Sequence, residues 1–308
     1  MPSSSRAPLM PRTCRAHAML PAWRSVIAAL RMHQWVKSAL LLVPLATAHA
    51  LFDPRRLSSC LLAAAAFCLA ASSVYVFNDL TDVVEDRRNA QTAQRPLARG
   101  AMTRRQALAL QLLLLLGALV LAWPRPHAFL WVLAGYYALM CTYSLILKRL
   151  IALDVLVLAA GYGLRVAAGA AAAGVQPSAW LLALCGALFL SLALLKRYAE
   201  LLARQVQGTA DALRGYLPGD ASILACQGIA SGYIAVLVLA LYSTMAHRPP
   251  TRQPYLWVLC VLLLYWINYL WLLARRGRLP HDPVLFTLRD PISGSLIGAM
   301  GIAALLAL

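Results

Sequence analysis

The sequence predicts an all-α integral membrane protein with nine spanning helices and a cytoplasmic N-terminus. Three observations predict it. Of the 308 residues, 61% are hydrophobic and only 13% charged. The charges are absent from long apolar runs, and Lys and Arg gather on alternate connections between those runs. Soluble domains carry about 25% charged residues, and a chain of this length cannot enclose a core large enough to hide so many apolar runs from water. No run alternates with a period of two over about ten residues, which argues against a transmembrane barrel.

Residues 1–22 are rich in Ser, Pro and Arg and lack the apolar centre of a secretory signal. They are expected to form a disordered basic tail, with Met19 as an alternative start, ahead of a single transmembrane domain over 23–308. Apolar segments follow at 38–52, 58–77, 106–123, 127–146, 151–173, 178–195, 221–245, 254–274 and 291–308. Most approach the roughly 20 residues that cross a bilayer as a helix. The first is short and interrupted by Pro44. With the N-terminus in the cytoplasm, 22 Lys and Arg lie on the cytoplasmic side and 5 opposite, with Arg165 inside the fifth span. That asymmetry is the positive-inside pattern. It also accounts for the net charge of +17 without nucleic acid. The seven cysteines are scattered with no CxxC, as small apolar residues of membrane helices are, and support neither a disulfide framework nor a zinc site.

The carboxylates carry more information. Ten of eleven fall on the cytoplasmic side, Asp53 alone opposite, which implies a polar working surface there. A transport pathway would instead leave ionisable groups at mid-membrane, where only Arg165 stands. The segment SSVYVFNDLTDVVEDRRNAQTAQRPLARG (72–100) begins where the second span ends. Asn78, Asp82 and Asp86 recur at i, i+4 and i+8, so a continuous helix stacks them on one face, with Asp79 flanking. Stacked like charges repel. A divalent cation resolves the conflict, and Mg²⁺ suits it because it takes few carboxylates and completes its shell with water and substrate phosphate. A merely solvated acidic helix end does not explain why the stripe starts at the membrane boundary with an Asn in line. Arg87, Arg88, Arg95 and Arg99 follow and are placed to meet phosphate oxygens.

NDLTDVVEDRRN matches the NDxxDxxxD signature of the UbiA prenyltransferase family at every motif position. The resemblance implies nine transmembrane helices around a central cavity, with Mg²⁺ and a diphosphate held at the cytoplasmic side by Asn78, Asp79, Asp82 and Asp86. Typical members carry a second Asp-rich motif after the sixth span. Here that region reads SLALLKRYAELLARQ, with Lys196 and Arg197 and only Glu200 nearby before Asp211. Clustered cations bind an anion directly, so two anionic ligands are expected, one through metal and one through Lys and Arg.

Lys37 beside Gln34 and Trp35, Tyr143, Lys148-Arg149, Asp154 and Arg165 complete the pattern, along with LRGYLP (213–218) and DPVLFTLRD (282–290). From Arg31 onward these segments resemble the decaprenyl-phosphate phosphoribosyltransferase branch of the family, with Met32 and Ser38 replacing a common proline and asparagine. The resemblance implies a bacterial inner-membrane enzyme that moves 5-phosphoribose from phosphoribosyl pyrophosphate to a polyprenyl phosphate. Asp79, Asp82 and Asp86 would act in catalysis, and Lys37, Tyr143, Lys148, Arg165, Lys196, Arg197, Arg87 and Arg88 in binding. Each cation also has a plainer role: Lys37 snorkelling to headgroups, Lys148-Arg149 as a topological anchor, Arg165 paired with Asp154. The nearest competing activity is prenyl transfer from a polyprenyl diphosphate to 4-hydroxybenzoate or a similar acceptor. A transporter or scaffold is the other class.

Overall fold

The computed structural model describes residues 22–88, 92–206, 214–245, 251–279 and 282–307. Apart from Ala22, the expected tail lies outside the described residues, as does Asp211. Every regular element among them is helical: α1 (Ala22–Leu30), a 3₁₀ segment (Met32–Leu42), α2 (Val43–Thr47), α3 (Pro54–Thr81), α4 (Val83–Arg88), α5 (Arg104–Ala122), α6 (His127–Leu145), a 3₁₀ turn (Leu147–Arg149), α7 (Leu153–Ala173), α8 (Ala179–Val206), a 3₁₀ turn (Pro218–Asp220), α9 (Ala221–Met245), α10 (Gln253–Arg275), α11 (Pro283–Arg289) and α12 (Pro291–Ala307). The all-α membrane fold is borne out. Eight helices among the described residues are long and apolar enough to span a membrane, and α11 with α12, bent by 92°, makes a ninth when counted as one broken span.

The first span differs from the expected 38–52 and runs over Trp23–Thr47. Its middle is an eleven-residue 3₁₀ segment, far longer than the three or four residues at which such helices usually stop. Two contacts fasten it to the bundle. The Trp35 indole donates to Ser72 Oγ at 2.9 Å. At Gly169 of α7, the carbonyl of Leu41 approaches so closely that a Cβ would lie 1.9 Å from its oxygen, so only glycine fits.

α3 has 28 residues, about 42 Å of helix, longer than the roughly 30 Å of hydrocarbon it must cross. It starts on a proline capped by Asp53, whose carboxylate accepts from the amides of Arg55 (3.0 Å) and Arg56 (3.3 Å). That surplus is long enough to place Asn78 and Asp79, near the C-terminal end of α3, outside the hydrocarbon layer. α3 packs on α5, α6 and α7, and α7 packs in turn on α6, α8 and the 3₁₀ segment. α7 therefore brings the first and second halves of the chain together. Of the six cysteines among the described residues, Cys60, Cys68, Cys185 and Cys260 are buried in helix packing, as their scatter suggested.

Candidate active site

α3 stops at Thr81, and Asp82 (φ −102°, ψ 8°) breaks the helix for one residue before α4. A continuous helix was expected here. The break is shallow: the Asp82 amide donates to the Asn78 carbonyl at 3.0 Å and the Asp86 amide to the Asp82 carbonyl at 2.8 Å. The i, i+4, i+8 stacking of Asn78, Asp82 and Asp86 therefore survives. Asp79, Asp82 and Asp86 are 5%, 9% and 6% exposed, and Asn78 is half-buried.

Buried carboxylates without a counter-charge cost several kcal/mol each, and each of these three meets a cation from a distant element. Arg31 Nη2 reaches Asp79 at 2.5 Å. Lys148, on the 3₁₀ turn, pairs with Asp82. Arg95 Nη1 lies 3.1 Å from Asp79 and 2.7 Å from Asp86, one nitrogen serving both. Among the described residues no group of three or more His, Cys, Asp or Glu is arranged to hold a metal. The Asp79–Asp86 pair, one cation apart, nevertheless suits Mg²⁺ in its usual mode of one or two carboxylates completed by substrate oxygens; it does not suit an all-protein cage.

The basic residues divide into two groups. Lys37 is 8% exposed, 2.7 Å from Asp282, with its ammonium 5.6 Å from the centre of the Tyr162 ring. Burial raises the Asp282 acid, but Lys37 and then Lys196 outweigh it and hold the group down to about 2. Lys196 itself is half-buried. Arg197 was expected beside it as an open anion contact, and the structure corrects this. Arg197 is 1% exposed and clamped between Asp154 at 2.7 Å and Glu200. Tyr216 donates to the other Asp154 oxygen at 2.6 Å and accepts from the Ala152 amide at 2.9 Å. Burial and this carboxylate push the Tyr216 phenol up.

Arg165 accordingly does not pair with Asp154. It donates to the Gly161 carbonyl (2.6 Å) and the Tyr136 hydroxyl (2.9 Å), inside a box of Phe67, Tyr136 and Tyr162 whose ring centres lie 5.4, 4.9 and 5.7 Å away. Tyr143 accepts from Arg214, whose guanidinium also covers its ring. Arg87 and Arg88 are exposed, and Arg87 Nε ties the following loop by donating to the Ala98 carbonyl at 3.0 Å. Sequence reasoning missed Arg31, Asp282 and Tyr216 as partners. Asp282 had a local signal, since Asp before Pro and an apolar run is a helix N-cap; Arg31 had none.

The family model for the UbiA prenyltransferase family matches residues 38–289. The chain belongs to that family. It is therefore a UbiA-family transferase. It is 32% identical over 287 residues to the uncharacterized protein y4nM of Sinorhizobium fredii, covering 91% of this chain but 55% of that protein, so the chain spans about half that relative's length. It is 33% identical over 278 residues to nodulation protein NoeC of Azorhizobium caulinodans, 89% of this chain and 90% of that one. Decaprenyl-phosphate phosphoribosyltransferase of Mycolicibacterium smegmatis is 36% identical over 182 residues, 57% of each. Among solved structures, a UbiA homolog from Archaeoglobus fulgidus bound to DMAPP and Mg²⁺ superposes with a TM-score of 0.69 over 91% of this chain and 99% of that chain, at 18% identity. At that identity the likeness is one of fold.

Proposed function

We propose that this UbiA-family transferase moves 5-phosphoribose from phosphoribosyl pyrophosphate to a polyprenyl phosphate of decaprenyl type, at the cytoplasmic face of a bacterial inner membrane with its N-terminus in the cytoplasm. The observation that carries this reading is the charge on the C-terminal half of α8. Lys196 and Arg197 stand where a second carboxylate cluster would be needed to grip a prenyl diphosphate through metal. Arg197 is neutralised inside the bundle, so Lys37 and Lys196 against the single carboxylate of Asp282 leave positive charge for a second ligand. The similarity to decaprenyl-phosphate phosphoribosyltransferases supports the same reading.

In this reading Asn78, Asp79, Asp82 and Asp86 would hold Mg²⁺ together with the donor's pyrophosphate. The bound ion would neutralise charge on the departing pyrophosphate as the ribose carbon becomes cationic. Arg31, Arg95 and Lys148, already paired with the carboxylates, would turn their charge toward the same phosphate oxygens. Lys37 and Lys196 would take the acceptor headgroup, while Arg197 with Asp154 and Tyr216 ties α8 to α7 and to the connection before α9. Arg165, boxed by aromatic rings, would sit below the headgroup, and Tyr143 with Arg214 beside the Lys148 turn. Arg87 and Arg88 would meet the incoming donor at the surface. A phosphate monoester is largely dianionic at neutral pH and attacks without a general base. Aligning it with the ribose carbon would then supply much of the rate.

Membranes containing the protein, incubated with labelled phosphoribosyl pyrophosphate and polyprenyl phosphate, are expected to transfer label to the lipid fraction in a Mg²⁺-dependent way. No label in lipid, with product formed instead from polyprenyl diphosphate and 4-hydroxybenzoate, would overturn the proposal in favour of aromatic prenyl transfer.

A further inference from the structure

Asp282 sits oddly for a surface carboxylate. Its Oδ1 accepts from the amides of Val284 (3.1 Å) and Leu285 (3.3 Å), capping α11. Its Oδ2 takes Lys37 Nζ at 2.7 Å, with the two side chains 17% and 8% exposed. Lys196, from α8, acts on the same carboxylate. Behind Lys37, Tyr162 separates it from Arg165: Lys37 lies 5.6 Å and Arg165 5.7 Å from the centre of that one ring. Arg165 is 6% exposed, has no carboxylate partner, and its Nε is buried without a hydrogen bond. Three cations therefore share this region with one carboxylate, Lys37 in contact with it, Lys196 acting from further off and Arg165 behind the Tyr162 ring, and that carboxylate has a single oxygen to give because the other is committed to the cap.

A low-dielectric region with two positive charges in excess is under-compensated. The ligand that corrects it carries close to two negative charges and several acceptor oxygens on one centre. A phosphate monoester does both, with about −1.5 to −2 charge and three strong acceptors. A carboxylate ligand would only repeat what Asp282 supplies.

We propose that Asp282 is a built-in stand-in for the acceptor's phosphate: its Oδ2 occupies the anion position on Lys37, on the side of the bundle where Lys196 also stands, and an isoprenoid phosphate monoester displaces it on binding. Asp282 is thereby a specificity-determining residue. It competes with any weak or singly charged anion and yields only to a ligand that can engage both lysines at once. The inference rests on the acceptor half of the function proposed above.

The test is equilibrium binding to purified protein in detergent, with farnesyl phosphate and inorganic phosphate as separate probes. Asp282→Asn removes the charge while keeping a good N-cap, and Asp282→Ser does the same with a different side chain. Both variants are expected to bind farnesyl phosphate about tenfold more tightly than the parent, and Lys37→Gln is expected to abolish the gain. Unchanged or weakened binding in both Asp282 variants would overturn the proposal and leave Asp282 a plain counter-ion. Equally tight binding of inorganic phosphate to the variants would also overturn it, because the site would then recognise free phosphate and not the lipid. Tightened farnesyl phosphate binding without ribosyl transfer would sustain this inference and sink the donor assignment; ribosyl transfer without tightening would do the reverse.

Discussion

Replacing Arg197 with methionine tests whether this cation is an internal strut. Arg197 and Asp154 are 1% and 0% exposed at 2.7 Å separation. Removing one partner of such a pair leaves a buried charge uncompensated, at a cost of about 3–5 kcal/mol. Tyr216 still donates to Asp154 at 2.6 Å, which moderates the loss. Glu200, the second partner, is 19% exposed and can turn to water, so it adds little. The expected destabilisation is about 3–4 kcal/mol, measured by SDS titration in mixed micelles. Arg197→Met combined with Asp154→Asn removes both charges and is expected to recover at least half of that loss, although it alters more of the protein. A solvent-exposed pair would be worth roughly 0–1 kcal/mol. A single variant within 1 kcal/mol of the parent, with no recovery in the double variant, would refute the strut and return Arg197 to the list of open anion contacts.

Asp82→Ala is expected to abolish Mg²⁺-dependent turnover, because it removes the carboxylate at the centre of the stripe and strands the buried Lys148; unchanged metal-dependent activity would sink the metal assignment. Lys196→Ala should raise KM for the lipid phosphate more than for the ribosyl donor in steady-state kinetics, and the opposite split would exchange the two ligand positions. Gly169→Ala places a Cβ 1.9 Å from the Leu41 carbonyl, where backbone must yield. Overpacking of this kind costs about 1–3 kcal/mol, visible as a lower melting temperature along with impaired turnover as Lys37 shifts. Acid should weaken the Lys37–Asp282 tie. Asp282 titrates at about 2, below its ordinary 3.8, so its contribution of about 2 kcal/mol is whole above that ordinary value and fades as pH falls toward 2. The stability gap between the parent and Asp282→Asn should close over that window.

How legible each feature was in the sequence follows from how local its cause is. The carboxylate stripe was legible because its spacing is set by one helix, and the membrane class because bilayer thickness dictates segment length. The break at Asp82 was not, since two hydrogen bonds bridge it and the pattern of side chains barely changes. Charge partners were the least legible. Arg31 finds Asp79 across 48 residues and Lys37 finds Asp282 across 245, and no periodicity encodes either meeting. Lys196-Arg197 shows the consequence. Adjacent residues on a helix point about 100° apart, so two neighbouring cations seldom share a task. Arg197 turns into the bundle toward Asp154, while the half-buried Lys196 adds its charge to the field at Asp282. The dipeptide announces positive charge on α8; only the fold divides it into one charge spent on structure and one left to act on the Lys37–Asp282 pair.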